Sequence, residues 1–416
     1  MRKFLFIFCF IFLMTFSISK AESIDVYCNS AILIDAKTGE VLFEKNADQK
    51  AYPASTTKIL TAYIALSQGY SMTEEIIPSR NSVMSVPAGS SIAYFSENEK
   101  LTLEQVLYGL LLPSGNDAAN ILAEHISGST STFAELMNVT AEKLGATDSH
   151  FMNPSGLHNN DHYTTASDLA KIARQAMKID KFREIVSQVK FDMPATNISK
   201  QERTFINTNK LLTSGGEYFY PYATGIKTGY TSQASNCLVA SASKDGVELI
   251  TVVLGGHIIP VNKSAVYLDT IALFNYGFEN YHNQQLIAKN QIVTNCIPKN
   301  SHKETLNLAA ADKLDILVKN GDTPTFERII TLNENIVAPI KKGDILGTLS
   351  VKNSNEVIGI TNLIAQTDIE KEHIIWNILR FLLYFFISVI ILCILLRIFN
   401  EIRKFIRRRR RKKGNR

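Results

Sequence analysis

A chain of 416 residues, 45% hydrophobic and 20% charged, is long enough for two or more domains with their own cores, and it is too apolar for a disordered polymer. Five cysteines are too sparse for a small fold stapled by disulfides. The formal charge of +5 divides into +10 over residues 397–416, +3 over residues 1–21 and −8 over the rest. That acidic body gives no electrostatic reason to expect nucleic acid as a partner.

At the start, Arg2 and Lys3 precede the apolar run Phe4–Ile18 and then Ser19-Lys20-Ala21. A basic start, a short apolar stretch and small residues describe a secretory signal over 1–21, cut after Ala21. The run falls short of the roughly 20 residues a membrane span needs. Next, Ala31–Asp35 and Glu40–Phe43 are apolar runs joined by Ala36-Lys37-Thr38-Gly39, which predicts a hairpin. Helical patterns follow at Ser55–Gln68, Leu103–Leu112, Ala118–His125, Thr132–Leu144 and Thr165–Met177. Strand patterns return at Gly225–Thr231, Cys237–Ser243 and Glu248–Gly255. Strands at both ends with helices between predict an α+β domain over 25–278, with one antiparallel sheet flanked by helices.

After Phe278 the texture changes. Asn280–Gln291 is polar, and short alternating segments with turns at Asn320-Gly-Asp322, Lys342-Gly-Asp344 and Asn353-Ser-Asn355 predict a small all-β domain over 279–370. Residues 374–399 are nearly all apolar, and Phe381–Leu396 is uninterrupted. Arg380 and Arg397 can snorkel to the two interfaces, so this segment reads as a single transmembrane helix. Trp376 and Tyr384 sit near its outer edge, where amphipathic rings prefer to lie. Residues 400–416 form a polybasic tail, which the inside bias of Lys and Arg places in the cytoplasm. The expected protein is single-pass in the cell membrane, with its bulk outside. Cys28, Cys237 and Cys296 remain in that bulk, and three thiols cannot all pair.

Single chemical motifs are weak here because they recur. Ser-x-x-Lys occurs at Ser17/Lys20, Ser55/Lys58, Ser187/Lys190 and Ser241/Lys244. The first lies in the signal, and the last two fall on strands or turns that point the side chains apart. Ser55 differs: Tyr52-Pro53-Ala54 precedes it and Ile59-Leu60-Thr61-Ala62 continues a helix start. At i and i+3, Ser55 and Lys58 share a helix face. A hydroxyl nucleophile without a histidine needs such an adjacent amine. Ser-x-Asn occurs at Ser79, Ser96 and Ser114; only Ser114-Gly115-Asn116 sits between two helices where it can face a cleft, the others reading as surface loops. Lys37-Thr-Gly fits the hairpin turn, whereas Lys227-Thr228-Gly229 precedes Tyr230-Thr231 on a strand, where glycine lets substrate approach the backbone.

The ordered set Ser55…Lys58, Ser114…Asn116, Lys227-Thr228-Gly229 matches the pattern of class A β-lactamases and penicillin-binding proteins, apart from the usual Ser-Asp-Asn in the middle. Tyr52-Pro-Ala-Ser-Thr-Thr-Lys58, Leu112-Pro-Ser-Gly-Asn-Asp-Ala-Ala119, Asn153-Pro-Ser-Gly-Leu157, His162-Tyr-Thr-Thr-Ala166 with Asp168-Leu-Ala170, and Gly225-Ile-Lys-Thr-Gly-Tyr-Thr231 make the resemblance more specific. The chain resembles the serine-type D-alanyl-D-alanine carboxypeptidases, the low-molecular-mass penicillin-binding proteins, over residues 25–278. Its β-rich piece and C-terminal anchor resemble the same family's layout.

The resemblance implies roles. Ser55 would be the acylated nucleophile and Lys58 its base, with Ser114 and Asn116 relaying protons and holding the substrate amide. Lys227 and Thr228 would hold the substrate's terminal carboxylate, and the backbone N–H groups of Ser55 and Tyr230, beside Gly229, would form the oxyanion hole. The implied substrate is the peptidoglycan stem peptide, β-lactams are the implied covalent inhibitors, and neither metal nor cofactor is required. His162 reads as a structural hydrogen-bonder. Two departures stand out: Ala234-Ser235 replaces the commoner Ala-Gly, and His257 follows Gly255-Gly256 where some relatives carry an arginine for the carboxylate. That role is left open between His257, Lys263 and neither.

Two rival readings remain. A serine β-lactamase of class A would carry a Glu-x-x-Leu-Asn loop, which is missing between Asn116 and Lys227. A non-catalytic sensor of peptidoglycan or β-lactam would have little use for a complete nucleophile set, and the tail is too short for a signalling domain.

Overall fold

The computed structural model describes residues 24–413 apart from 261, 303, 354–355 and 373; the expected signal at 1–21 lies outside the described residues. Contacts divide the chain into a unit ending at His282 and a second beginning at Asn283.

The first unit opens with the expected hairpin, β1 (Ser30–Asp35) and β2 (Val41–Lys45). Its turn contains Lys37-Thr38-Gly39, and the Asp35 carboxylate accepts from the backbone N–H of Lys37 and Thr38. A 3-10 turn at Ala54–Thr57 then leads into α1 (Lys58–Ser67). The helix expected from Ser55 therefore begins three residues later. Next come β3 (Glu75–Ile76), α2 (Arg80–Met84), β4 (Leu101–Thr102) and α3 (Leu103–Leu111). Ser79, expected in a surface loop, instead caps α2 by accepting from Ser82 N at 3.0 Å. Thr102 and Gln105 form a reciprocal capping box at the start of α3, satisfying donors that a helix start otherwise leaves unpaired.

After Leu112 and Pro113 the chain turns at Ser114 and enters α4 (Asn116–Ser127), followed by α5 (Thr130–Lys143), α6 (Ala166–Ala176) and α7 (Asp180–Ser187). Then come β5 (Lys190–Met193), β6 (Arg203–Ile206), β7 (Ala223–Thr231), β8 (Ser235–Lys244), β9 (Val247–Gly256), β10 (Ile258–Ile259), β11 (Lys263–Ser264) and α8 (Ala265–Asn280). The main sheet runs β2-β1-β9-β8-β7 and is antiparallel throughout, so both ends of the unit meet in it, as expected.

Side-chain alternation explains why this sheet is buried on both faces. Ile32, Ile34, Val239, Ile250 and Val252 share one core with Leu60 of α1, Leu107 of α3, Leu122 of α4 and Leu169 of α6. The alternate residues Leu33 and Leu249 lie against α8 at Gly277. Each such fully buried side chain contributes roughly 1.5–3 kcal/mol, which fixes the strand edge and helix ends that carry the site. The two rejected Ser/Lys pairs are indeed parted: Ser187 ends α7 while Lys190 begins β5, and on β8 Ser241 bonds Thr224 while Lys244 lies over Tyr222.

The second unit is β-rich. With β12 (Tyr281–Ile287), β13 (Ile292–Cys296), β14 (Leu306–Ala310), β15 (Leu314–Lys319), β16 (Phe326–Leu332), β17 (Ile345–Asn353) and β18 (Glu356–Ala365), it forms a sheet ordered β13-β14-β18-β17-β16 and a β12–β15 pair. Leu306, Leu308, Leu349, Val351 and Leu363 make its separate core. Helix α9 spans Ile374–Lys413. The expected break between a span ending at 399 and a separate tail is absent. Arg and Lys are good helix formers, and Glu401 pairs with Lys404 one turn along at 2.8 Å, so the helix runs on into the basic segment. At 40 residues it is about 60 Å long, and its apolar part is long and hydrophobic enough to cross a membrane.

Candidate active site

The first unit carries an open cleft of about 560 Å³ whose walls include Ser55, Ser114, Asn116, Thr228, Tyr230 and Tyr267. Three separate segments, far apart in sequence, are brought there.

The first is the 3-10 turn bearing Ser55. Lys58, the first residue of α1, is wholly buried, and its Nζ lies 3.0 Å from Ser55 Oγ. The same amine is 2.6 Å from Asn116 Oδ1 and 2.7 Å from the Ser155 carbonyl oxygen. In the neutral form its two N–H bonds serve those two acceptors, and the lone pair is left facing the Ser55 hydroxyl. Burial, and then the charge of Lys227, push the Lys58 amine well below the ordinary lysine range; Asp117 pulls the other way. Burial alone lowers Lys227 to about 7. A buried ammonium without a carboxylate at bonding distance is unstable in a poorly hydrated site, so the amine gives up its proton. A neutral amine 3 Å from a hydroxyl is the arrangement that activates serine for acyl transfer.

The second segment is the bend before α4. Ser114 sits in the left-handed region at φ +67, a conformation rare for a residue with a side chain and found where surrounding structure enforces it. The enforcing bonds come from the α4 start: Gly115 N donates to Gly109 O and Asn116 N to Ser91 O. The buried carboxylate of Asp117 accepts from Ala93 N and Phe95 N, stapling one cleft wall. Asn116 Oδ1 meets Lys58 Nζ at 2.6 Å. Ser114 Oγ is buried and has no hydrogen-bond partner among the described residues.

The third segment is β7. Lys227 is only 1% exposed, and its Nζ donates to the Thr228 carbonyl at 3.0 Å. The Thr228 hydroxyl pairs with that of Thr208 at 2.6 Å. Gly229 lines the cleft and has a packing role besides the one expected. A Cβ there would lie 3.0 Å from Pro53 O and Ser55 N, so its missing side chain admits the turn bearing Ser55 against the strand. Tyr230, the next residue on the strand, lines the same cleft as Ser55.

The sequence marks Asn153-Pro-Ser-Gly-Leu157 only as part of the family resemblance. The segment is the support of the turn. Gly156, at φ +84, lies so close that a Cβ would fall 1.8 Å from Ala54 O. Thr61 Oγ1 donates to Pro154 O at 2.6 Å, and Ser155 O receives Lys58. His162 stands behind it: Nδ1 accepts from Met152 N, so Nε2–H donates to Thr57 Oγ1 at 2.9 Å. Burial lowers this imidazole to about 4, so it stays neutral and structural. Cys237 also lines the cleft, but burial raises its thiol to about 11, and a protonated thiol does not compete as nucleophile.

The departures also have physical readings. Ser235 has φ +57, the region that favours glycine. His257 is exposed and Lys263 lies 3.9 Å from Glu217; neither lines the cleft, although Ile258 and Ser264 do.

A cleft-lining serine beside a buried lysine, at the junction of a helical layer and an antiparallel sheet, is the arrangement of an acyl-transferring serine hydrolase. Residues 16–257 match the sequence profile of the D-alanyl-D-alanine carboxypeptidase family, and residues 281–371 match the C-terminal domain of penicillin-binding protein 5. The chain belongs to the D-alanyl-D-alanine carboxypeptidase family. It is 34% identical over 347 residues to D-alanyl-D-alanine carboxypeptidase DacF of Bacillus subtilis, covering 82% of this chain and 86% of that protein. Among solved structures, penicillin-binding protein 5 from Haemophilus influenzae is 27% identical with a TM-score of 0.61, covering 84% of this chain and 99% of that one. A peptidoglycan synthesis regulatory factor (PBP3) from Streptococcus pneumoniae, at 22% identity and a TM-score of 0.73 over 83% of this chain and 100% of that one, shares the fold.

Proposed function

We propose that this chain is a membrane-tethered, extracytoplasmic carboxypeptidase that removes the terminal D-alanine from peptidoglycan stem pentapeptides. The observation that carries the reading is the placement of the buried Lys58 amine 3.0 Å from Ser55 Oγ, with Asn116 and Ser155 occupying its N–H bonds. Ser55 Oγ attacks the carbonyl of the penultimate D-alanine while its proton passes to Lys58. The oxyanion is held by the N–H groups of Ser55 and Tyr230. Ser114, whose hydroxyl has no protein partner among the described residues, relays that proton: it gives its own to the departing D-alanine amine and takes one back from Lys58, which is neutral again. Water then hydrolyses the acyl ester on Ser55, with Lys58 again as base.

β-Lactams enter the same route, because the opened ring stays attached and blocks the water. The tether is α9, whose Arg-rich end lies on the cytoplasmic side by the inside bias of basic residues. Family membership, together with the intact Ser55–Lys58 pair, favours this over the β-lactamase and sensor readings.

Incubated with a stem pentapeptide, the full chain is expected to release one equivalent of D-alanine, and none from the corresponding tetrapeptide. Penicillin labelling without any D-alanine release would overturn the carboxypeptidase reading in favour of a sensor.

A further inference from the structure

A terminal carboxylate entering a poorly hydrated cleft must meet a fixed cation, since a desolvated anion is otherwise costly. Lys227 supplies little of that charge. Its ammonium is buried, already bonded to the Thr228 carbonyl, and only partly protonated near neutral pH. His257 and Lys263 do not line the cleft, and Lys263 leans toward Glu217. One cation does face it. Lys210 is exposed and lines the cleft beside Thr208 and Thr228, and it makes no ion pair among the described residues.

The segment that carries Lys210 is built in, not loose. Asn209 caps the 3-10 turn Lys210–Leu212 by accepting from Leu211 N at 3.1 Å. Tyr267 OH, itself on the cleft wall, donates to Thr208 O at 3.2 Å and accepts from Lys210 N at 3.4 Å. The Lys210 ammonium stands 5.9 Å over the ring of Tyr218, which stacks on Tyr267 at 4.6 Å. Two residues earlier, Thr208 Oγ1 touches Thr228 Oγ1. The anchored turn thus places an exposed cation without an ion-pair partner among the described residues on the same cleft that two adjacent hydroxyls line.

We propose that Lys210, together with the Thr208 hydroxyl, is the specificity-determining cation that holds the substrate's terminal carboxylate. The inference rests on the carboxypeptidase reading and names the group that selects a free C-terminus.

The test compares Lys210→Ala and Lys210→Arg with the unaltered full chain on an acyl-D-Ala-D-Ala peptide and on its C-terminal amide. Lys210→Ala is expected to lower the preference for the carboxylate form, as a ratio of kcat/KM, by about 10- to 100-fold, the range of one charge-assisted hydrogen bond. The loss on the carboxylate form falls on KM more than kcat, and Lys210→Arg restores most of the preference. An unchanged ratio in Lys210→Ala, or an equal loss on both peptides, would overturn the proposal. Because the unaltered chain is assayed alongside, absence of D-alanine release there would strike the carboxypeptidase reading itself, independently of Lys210.

Discussion

Ser55→Ala is expected to abolish D-alanine release and covalent labelling by fluorescent penicillin together, each by at least about 10⁴-fold, the size seen when an acyl-transfer nucleophile is removed. The two losses are coupled because both reactions acylate the same oxygen. Folding is expected to survive. The substitution removes one hydroxyl whose bond is to Lys58 Nζ, worth about 1 kcal/mol, and leaves the turn held by Gly156, Gly229 and the Lys58–Ser155 contact. Thermal unfolding of the variant should therefore stay within a few degrees of the unaltered protein. Persistent labelling would withdraw Ser55 as nucleophile and direct attention to Ser114, the nearby cleft hydroxyl in a strained bend.

Lys58→Met is the second large effect. Methionine nearly fills the volume of a side chain that is wholly buried, so no large cavity opens. The change strands Asn116 Oδ1 and the Ser155 carbonyl without their donor, at about 1–3 kcal/mol each, while removing the burden of a buried amine. Net stability should change little, but acylation should slow by about 10²–10⁴-fold, the usual contribution of a positioned base. Rapid-mixing measurement of penicillin labelling checks this. Normal acylation in a folded Lys58→Met protein would remove the base assignment.

Much of this arrangement was legible in the sequence, for a physical reason. Ser55 and Lys58 lie one helical turn apart, and β8 and β9 are near-continuous apolar runs, as a doubly covered sheet demands. What escaped was chemistry without a side-chain signature. Ser155 acts through its carbonyl oxygen, and Gly229 and Gly156 act by what they lack. Helix α8 also escaped, being apolar on most faces with the buried Asp269 among them, so no clear helical period marks it; that carboxylate binds the N–H groups of Tyr27 and Cys28, far away in sequence. Lys210 and Thr208 lie in an irregular segment, where periodicity says nothing about which way a residue faces. The continuity of α9 was hidden because the change from apolar to basic composition resembles a boundary, though helix propensity hardly changes across it.

The pH dependence of the penicillin acylation rate tests most directly whether Lys58 is a neutral amine at rest. Below its lowered pKa the amine is protonated and cannot take the Ser55 proton, so the rate rises with pH through that value. With Lys58 held well below its ordinary 10.5 by burial and by Lys227, the rise should be complete well before the ordinary lysine range. A rate still climbing tenfold per pH unit as pH approaches 10 would mean a lysine that is cationic at neutral pH, contradicting the account.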